Sequence, residues 1–203
     1  MAKNVKIKST EVLSDNFFPL KKVKYEVETS QGSVEEVSRE VYFSSNGATV
    51  LLYNREKRTV ILTRQFRLPT FLNNHPTGMM IEACAGIVED NEDPVEGIRR
   101  EIEEETGYKV EPESVIKIYE LYSTPGSVAE MIHYYVAEYD AGQKVSDGGG
   151  LEEEKEDIDV IELPFEEAFI KLHSGEIKDA KTVILLQYAR MYLLKEEKVF
   201  DLL

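Results

Sequence analysis

The sequence predicts an α/β fold in which a mixed sheet lies between helices, preceded by a small antiparallel β-sheet. Three observations lead there. Residues 4–43 alternate apolar and polar side chains in places, as half-buried strands do. From residue 45 onward, strand-like and helix-like runs interleave instead of segregating. Between two strand-like runs, residues 93–107 read as a helix with both ends marked.

Taken in order, Val23, Tyr25 and Val27 form a period-2 set, and Gln31-Gly32-Ser33 is a turn before a second alternating run at 34–42. Such a sheet is too small to stand alone and must pack on something. Residues 1–44 are therefore assigned to an N-terminal sheet extension and 45–203 to the main domain. Asn46-Gly47 is a turn signal, followed by strong strands at 48–53 and 59–66 around the charged turn 54–58. A loop containing proline and asparagine follows at 68–77, and 79–83 reads as a strand. Strands are expected at 115–122 and 131–139 around Ser123-Thr124-Pro125-Gly126. An acidic loop at 146–157 contains Gly148, Gly149 and Gly150, which suit the hinge of a lid. A short strand at 158–163 and helices at 164–173 and 179–197 complete the chain.

With 203 residues and 42% hydrophobic content the chain is large enough for a real core. Its net charge of −15 disfavours nucleic acid and acidic membranes as partners. An anionic substrate would need metal ions or local arginines to reverse the potential. Cys84 is the single cysteine, so no intrachain disulfide can form, and a reducing compartment is expected. The N-terminus lacks the apolar run of a signal peptide and no stretch is long enough to span a membrane, so a soluble cytoplasmic protein is expected. His75, His133 and His173 are scattered without metal-ligand spacing, which argues against zinc.

The chemistry concentrates in residues 86–108, where nine carboxylates face two arginines. Asp93 suits the N-cap, Pro94 the first helical position, Glu96 a capping box, and Gly107 the C-terminal stop. Val95, Ile98 and Ile102 make an apolar stripe. Glu101, Glu104 and Glu105, at i, i+3 and i+4, project together from a neighbouring face. A glutamate-rich helix is more often simply solvated, but solvated helices interleave lysine at those offsets and this one does not. Three carboxylates on one turn beside a loop with carbonyl oxygens suit a hard divalent cation such as Mg²⁺ or Mn²⁺.

The spacing Gly86, five residues, Glu92, seven residues, Arg100-Glu101-Ile102, one residue, Glu104-Glu105, one residue, Gly107-Tyr108 matches every fixed position of the Nudix box. The chain thus resembles the Nudix hydrolases, which cleave a nucleoside diphosphate linked to another moiety and need divalent metal. Leu-Ser-Asp-Asn at 13–16, Arg-Glu-Val-Tyr at 39–42, Arg-Gln-Phe-Arg at 64–67, Ile-Glu-Ala-Cys-Ala-Gly at 81–86 and Gly-Glu-Ile-Lys-Asp at 175–179 extend the resemblance over almost the whole chain. They point to the branch acting on nucleotide sugars and ADP-ribose.

The resemblance implies an α/β/α sandwich and a homodimer that exchanges the N-terminal sheet. It implies Mg²⁺, with Mn²⁺ able to substitute, held by the Ala85 carbonyl, Glu101, Glu105 and Glu156, with Glu104 close by and Arg100 paired to Glu92. Glu154, in the acidic loop, is the implied general base, and Glu104 and Arg100 complete the catalytic candidates. Phe17, Arg39, Glu40, Arg67, Glu130 and Lys181 are the candidates for substrate binding. Arg64 and Arg67 are three apart in a strand reading and face opposite ways. Arg67 is taken into the site, and Arg64 is read as a surface ion pair. Two departures stand out: the loop 150–158 is two residues longer than in the relative it resembles, and Phe17 replaces an expected tyrosine. The implied reaction is Mg²⁺-dependent hydrolysis of GDP-mannose to GMP and mannose 1-phosphate. The alternatives are hydrolysis of ADP-ribose to AMP and ribose 5-phosphate, and a non-catalytic nucleotide-sugar sensor. The intact box and the absence of a basic helix-turn-helix pattern disfavour the sensor.

Overall fold

The structure is a computed structural model that describes residues 4–151, 153 and 155–194. It divides into two compact units, residues 1–46 with 122–131 and residues 47–121 with 132–203.

The first unit is built on a three-stranded antiparallel sheet of β1 (Val5–Asp15), β2 (Pro19–Glu28) and β3 (Val34–Tyr42), in that order. The alternation of Val23, Tyr25 and Val27 lies in β2. The hairpin to β3 closes through Thr29 N–H to the Ser33 carbonyl at 2.7 Å, with Gly32 at φ +82° where a side chain would be strained. The unit exceeds the expected 1–44 segment. Residues 122–131 join it because Tyr42 N–H donates to the Ser127 carbonyl, Ala129 N–H donates back to the Tyr42 carbonyl, and Ser44 Oγ bonds Glu130.

The second unit contains a mixed seven-stranded sheet. Its strands are β4 (Gly47–Asn54), β5 (Thr59–Phe66), β6 (Met79–Glu82), β7 (Cys84–Ile87), β8 (Val115–Leu121), β9 (Ile132–Glu138) and β10 (Asp159–Pro164). The path runs β10-β5-β4-β9-β8, with β4 and β9 the parallel pair. β4 and β5 pair only from Leu52 to Asn54 and then separate. Into the gap come β6, paired to β5, and β7, paired to β4, so the chain crosses between the two at Ala83. That crossing carries Glu82 and Ala85 into the middle of the sheet.

Because side chains alternate across a strand, a sheet covered on both faces buries both sets. Leu51 and Tyr53 point to one core, with Val60, Leu62, Tyr134 and Val136. Val50 and Leu52 point to the other, with Ile61, Tyr135 and Ala137. The first core is closed by α3 (Phe165–His173) and α4 (Ala180–Tyr188), which supply Phe165, Ala168, Phe169, Leu185 and Leu186. The second is closed by α2 (Pro94–Glu101), which supplies Ile98, and by the turn after it, which supplies Ile102; both isoleucines are 0% exposed. This is the α/β/α sandwich that the resemblance implied.

Several expectations are revised. The segment 68–77 contains a short helix, α1 (Leu68–Leu72), favoured by Pro69 in its first turn, and Arg67 caps it instead of extending β5. Helix α2 has Asp93 as N-cap, accepting from Val95 N–H at 2.8 Å. Glu96, however, pairs with Arg99 at 2.7 Å, so its carboxylate turns down the helix and not back to the cap. Helix α2 gives way to a π-helical turn at Ile102–Thr106, and α4 to another at Ala189–Leu193. The expected continuation to 197 lies outside the described residues.

Candidate active site

The turn after α2 ends at Gly107, whose φ of +76° and whose contact with the Ser146 carbonyl exclude a β-carbon. A helix end leaves carbonyl groups without intrahelical partners. Here they are met by the glycine run: Gly149 N–H donates to the Glu105 carbonyl at 2.9 Å and Gly150 N–H to the Glu104 carbonyl at 3.1 Å. Gly148, Gly149 and Gly150 all have positive φ. The three glycines expected as a free hinge are a docked segment, and their conformations are those needed to bring backbone against backbone. Gly150 also leaves room for the Glu156 side chain, whose carboxylate accepts from Leu151 N–H at 3.1 Å.

Gly86 has the same kind of reason. A β-carbon there would fall on the Glu101 carboxyl group, so the glycine is the space Glu101 occupies. Glu105 is 2% exposed, and its Oε2 accepts from Ala85 N–H at 3.3 Å. The Ala85 strand and the two glutamates therefore converge.

Their electrostatics are unfavourable as they stand. Burial pushes the Glu101 carboxyl up to about 7 against the pull of Arg100, and the charges of Glu104 and Glu156 add to the rise. Burial pushes Glu105 up to about 8; a Cys84 hydrogen bond and the Ala85 amide oppose this, while Glu101 and Glu156 reinforce it. Arg100 is the local counter-charge. It reaches Glu101 at 2.8 Å, Glu104 at 3.1 Å and Glu92 at 3.6 Å. Burial works against its charge, yet these carboxylates hold the guanidinium well above its usual range. The expected Arg100–Glu92 pair is thus present but is the longest of the three.

Among the described residues, no three acidic, histidine or cysteine side chains already stand at the mutual spacing of a metal cage. Arg100 occupies oxygens of Glu101 and Glu104. The donor set nonetheless suits a hard divalent cation: it is all oxygen, strongly acidic, and cleared of side-chain bulk at Gly86 and Gly150. Glu154 lies outside the described residues. Cys84 is buried with its thiol pushed up by burial and by Glu105, as an inert packing residue would be.

A second cluster forms around a residue that the sequence reading missed. Glu82, at the end of β6, has only 6% of its side chain exposed. Its Oε2 accepts from Arg67 Nε at 2.7 Å, and its Oε1 lies 3.8 Å from Lys181 Nζ. The signal available was a lone carboxylate in an otherwise apolar strand. Arg64 pairs with the exposed Asp159 at 2.7 Å, as a surface ion pair. The remaining candidates belong to the first unit. Phe17 is 81% exposed and packs edge-on against Phe18, Arg39 donates to the Ser38 carbonyl, Glu40 is exposed, and Glu130 accepts from Ser44.

The chain is also similar to known proteins over most of its length. Residues 44–186 match the family model described as NUDIX domain, and residues 4–42 match the one described as GDP-mannose pyrophosphatase NudK N-terminal domain. The chain is similar to proteins named GDP-mannose pyrophosphatase from three bacteria. Identity is 48% to that of Cronobacter sakazakii, covering 94% of this chain and 97% of the relative. It is 50% to that of Yersinia enterocolitica, over 93% and 97%. It is 47% to that of Escherichia coli, over 94% and 97%. A crystal structure titled as an ADP compounds hydrolase superposes with a TM-score of 0.70 over 93% of this chain and 94% of that one, at 19% identity, a likeness of fold.

The Gly86 contact generates a prediction. In Gly86→Ala the Glu101 carboxyl must move, at little cost to the fold because it is the end of a flexible side chain. Divalent-metal affinity measured by titration calorimetry should fall by about tenfold or more, while the melting temperature changes little. Unchanged affinity in a folded variant would remove Glu101 from the expected ligand set.

Proposed function

Because this chain belongs to the Nudix hydrolase family, we propose that it hydrolyses the pyrophosphate bond of a nucleoside diphosphate sugar, GDP-mannose, giving GMP and mannose 1-phosphate. The observation that carries this reading is the near-full-length identity of about one residue in two to the GDP-mannose pyrophosphatases, N-terminal sheet included. The likeness to an ADP compounds hydrolase shows fold alone, so ADP-ribose is the second substrate to test.

The residues that would hold Mg²⁺ are Glu101, Glu105, Glu156 and the Ala85 carbonyl, with Glu104 alongside. When bound, such a cation supplies positive charge against the diphosphate and makes water acidic enough to lose a proton near neutral pH. The protein's own part is orientation and proton transfer. Arg100 holds Glu101 and Glu104 in place by hydrogen bonds at 2.8 and 3.1 Å. Glu154 accepts a proton from the attacking water, whose oxygen forms the new P–O bond as the bridging P–O bond breaks. Arg67 and Lys181 offer N–H donors to phosphate oxygens. Arg39, Glu40, Phe17 and Glu130 are the proposed contacts to base and sugar.

The protein is proposed to work in the cytoplasm as a homodimer. No helix among the described residues is long and apolar enough to cross a membrane. Support for the dimer comes from the three-stranded sheet, where Val5, Ile7, Val12 and Val34 are each more than half exposed. Light scattering should give twice the chain mass, and a monomer at micromolar concentration would end that proposal.

Phosphate release after phosphatase coupling, from GDP-mannose and ADP-ribose in parallel, tests the substrate. Turnover should favour GDP-mannose and vanish with EDTA. A preference for ADP-ribose would overturn the substrate and keep the family. In the same assay Glu154→Gln should lower kcat by about 10²–10⁴ with metal affinity little changed. A loss of metal affinity instead would make Glu154 a ligand.

A further inference from the structure

We propose that Glu82 is a positioning residue, which aims Arg67 and Lys181 together at a diphosphate. This rests on the reading of the site as one that binds a diphosphate.

Glu82 sits between Ile81 and Ala83, both buried and apolar. A carboxylate in such a place is costly unless it is paired. Its two oxygens serve two cations that come from distant parts of the chain, Arg67 at the cap of α1 and Lys181 in the first turn of α4. The anchor is buried, while the Arg67 side chain is 40% exposed and that of Lys181 20%. The cationic heads thus reach solvent from a fixed base.

The manner of holding matters. Arg67 spends its Nε on Glu82, and its two Nη atoms have no hydrogen-bond partner among the described residues. A guanidinium fixed through Nε presents its terminal pair, the edge that binds phosphate oxygens two at a time. Lys181 is also held by Asp179 at 2.7 Å. Asp179 caps α4 by accepting from Thr182 N–H at 2.9 Å, and Thr182 Oγ1 accepts from Ala83 N–H at 2.7 Å. The residue next to Glu82 is therefore bonded to the helix that carries Lys181, which closes the network. Glu82 and Ala85 are three residues apart, at most about 10 Å of chain. The paired cations and the Glu101–Glu105 carboxylates stand at the two ends of one strand crossing.

Charge and geometry make opposite predictions here. Two cations and two carboxylates, Glu82 and Asp179, leave the cluster neutral. Removing the Glu82 charge makes it net positive, so charge alone predicts tighter anion binding. Positioning predicts weaker binding.

The experiment measures binding of inorganic pyrophosphate with Mg²⁺ by calorimetry, together with KM and kcat for GDP-mannose. It uses the wild type, Glu82→Gln, Arg67→Ala and the double variant. Glu82→Gln should bind pyrophosphate about tenfold more weakly and raise KM to match, with kcat within about twofold. In the Arg67→Ala background it should cost less, because only the aim of Lys181 is then lost. Unchanged or tighter pyrophosphate binding in Glu82→Gln overturns the proposal, as does an equal loss in the absence of Arg67 or a wild type that binds no pyrophosphate. Arg67→Lys keeps the charge but loses the Nε anchor, so it tests the same point should Glu82→Gln fail to fold. It should weaken binding to the same degree, and full-strength binding overturns the proposal. A wild type that binds pyrophosphate but cleaves no nucleotide sugar would sink the substrate reading alone, and weakened binding by the variants would still support the role of Glu82.

Discussion

The rest of the second unit is arranged around the burial of two glutamates of one helical turn. Glu101 and Glu105 lose hydration without gaining a full complement of positive charge, and their raised affinity for protons reports the cost. Two kinds of neighbour answer that cost, those that make room and one that supplies charge. Gly86 and Gly150 make room, for Glu101 and for the neighbouring Glu156. Arg100 supplies one charge to three carboxylates, which is too little. The imbalance is a reason for a divalent cation that does not depend on family likeness: a cation among these oxygens offsets a cost that the fold otherwise carries.

The wide π-helical turn belongs to the same arrangement. A regular helix would end with carbonyl groups facing solvent or a side-chain cap. Here the Glu104 and Glu105 carbonyls are covered by the backbone of Gly149 and Gly150, which arrives more than forty residues later. Gly148, Gly149 and Gly150 all have the positive φ that side chains rarely adopt, and a β-carbon on Gly148 would fall on the Glu105 carbonyl. The glycine run thus fastens the acidic loop onto the helix end that bears the carboxylates.

What the sequence disclosed and what it hid follow from the range of the interactions. The cap at Asp93, the apolar stripe of Ile98 and Ile102 and the stop at Gly107 are local, and a local pattern can be read from neighbours in the chain. The strand alternation of β4 and β9 was legible for the same reason. The capping role expected of Glu96 was misread because Arg99 competes for its carboxylate three residues on, and an ion pair on the helix face outweighed the return to the cap. Arg67 was placed in a strand because the separation of β4 and β5, which ends β5 at Phe66, is set by the inserted β6 and β7. Glu82 was invisible as a site residue since its partners lie 15 and 99 positions away in sequence.

The overall charge of −15 sharpens the question of how an anionic substrate is accepted. Attraction by the whole protein is the wrong sign, so binding must come from donors fixed at short range. Of the cations near the strand crossing, Arg100 is already engaged by three carboxylates and has little left to offer. Arg67 differs, since one edge of its guanidinium is held and the other has no hydrogen-bond partner among the described residues. A site built this way divides the work. On the proposed reading, the glutamate-rich end would take the cation that neutralises the diphosphate, and the Arg67–Lys181 end would take its oxygens by direction. A lysine in place of Arg67 would keep the charge and lose the direction.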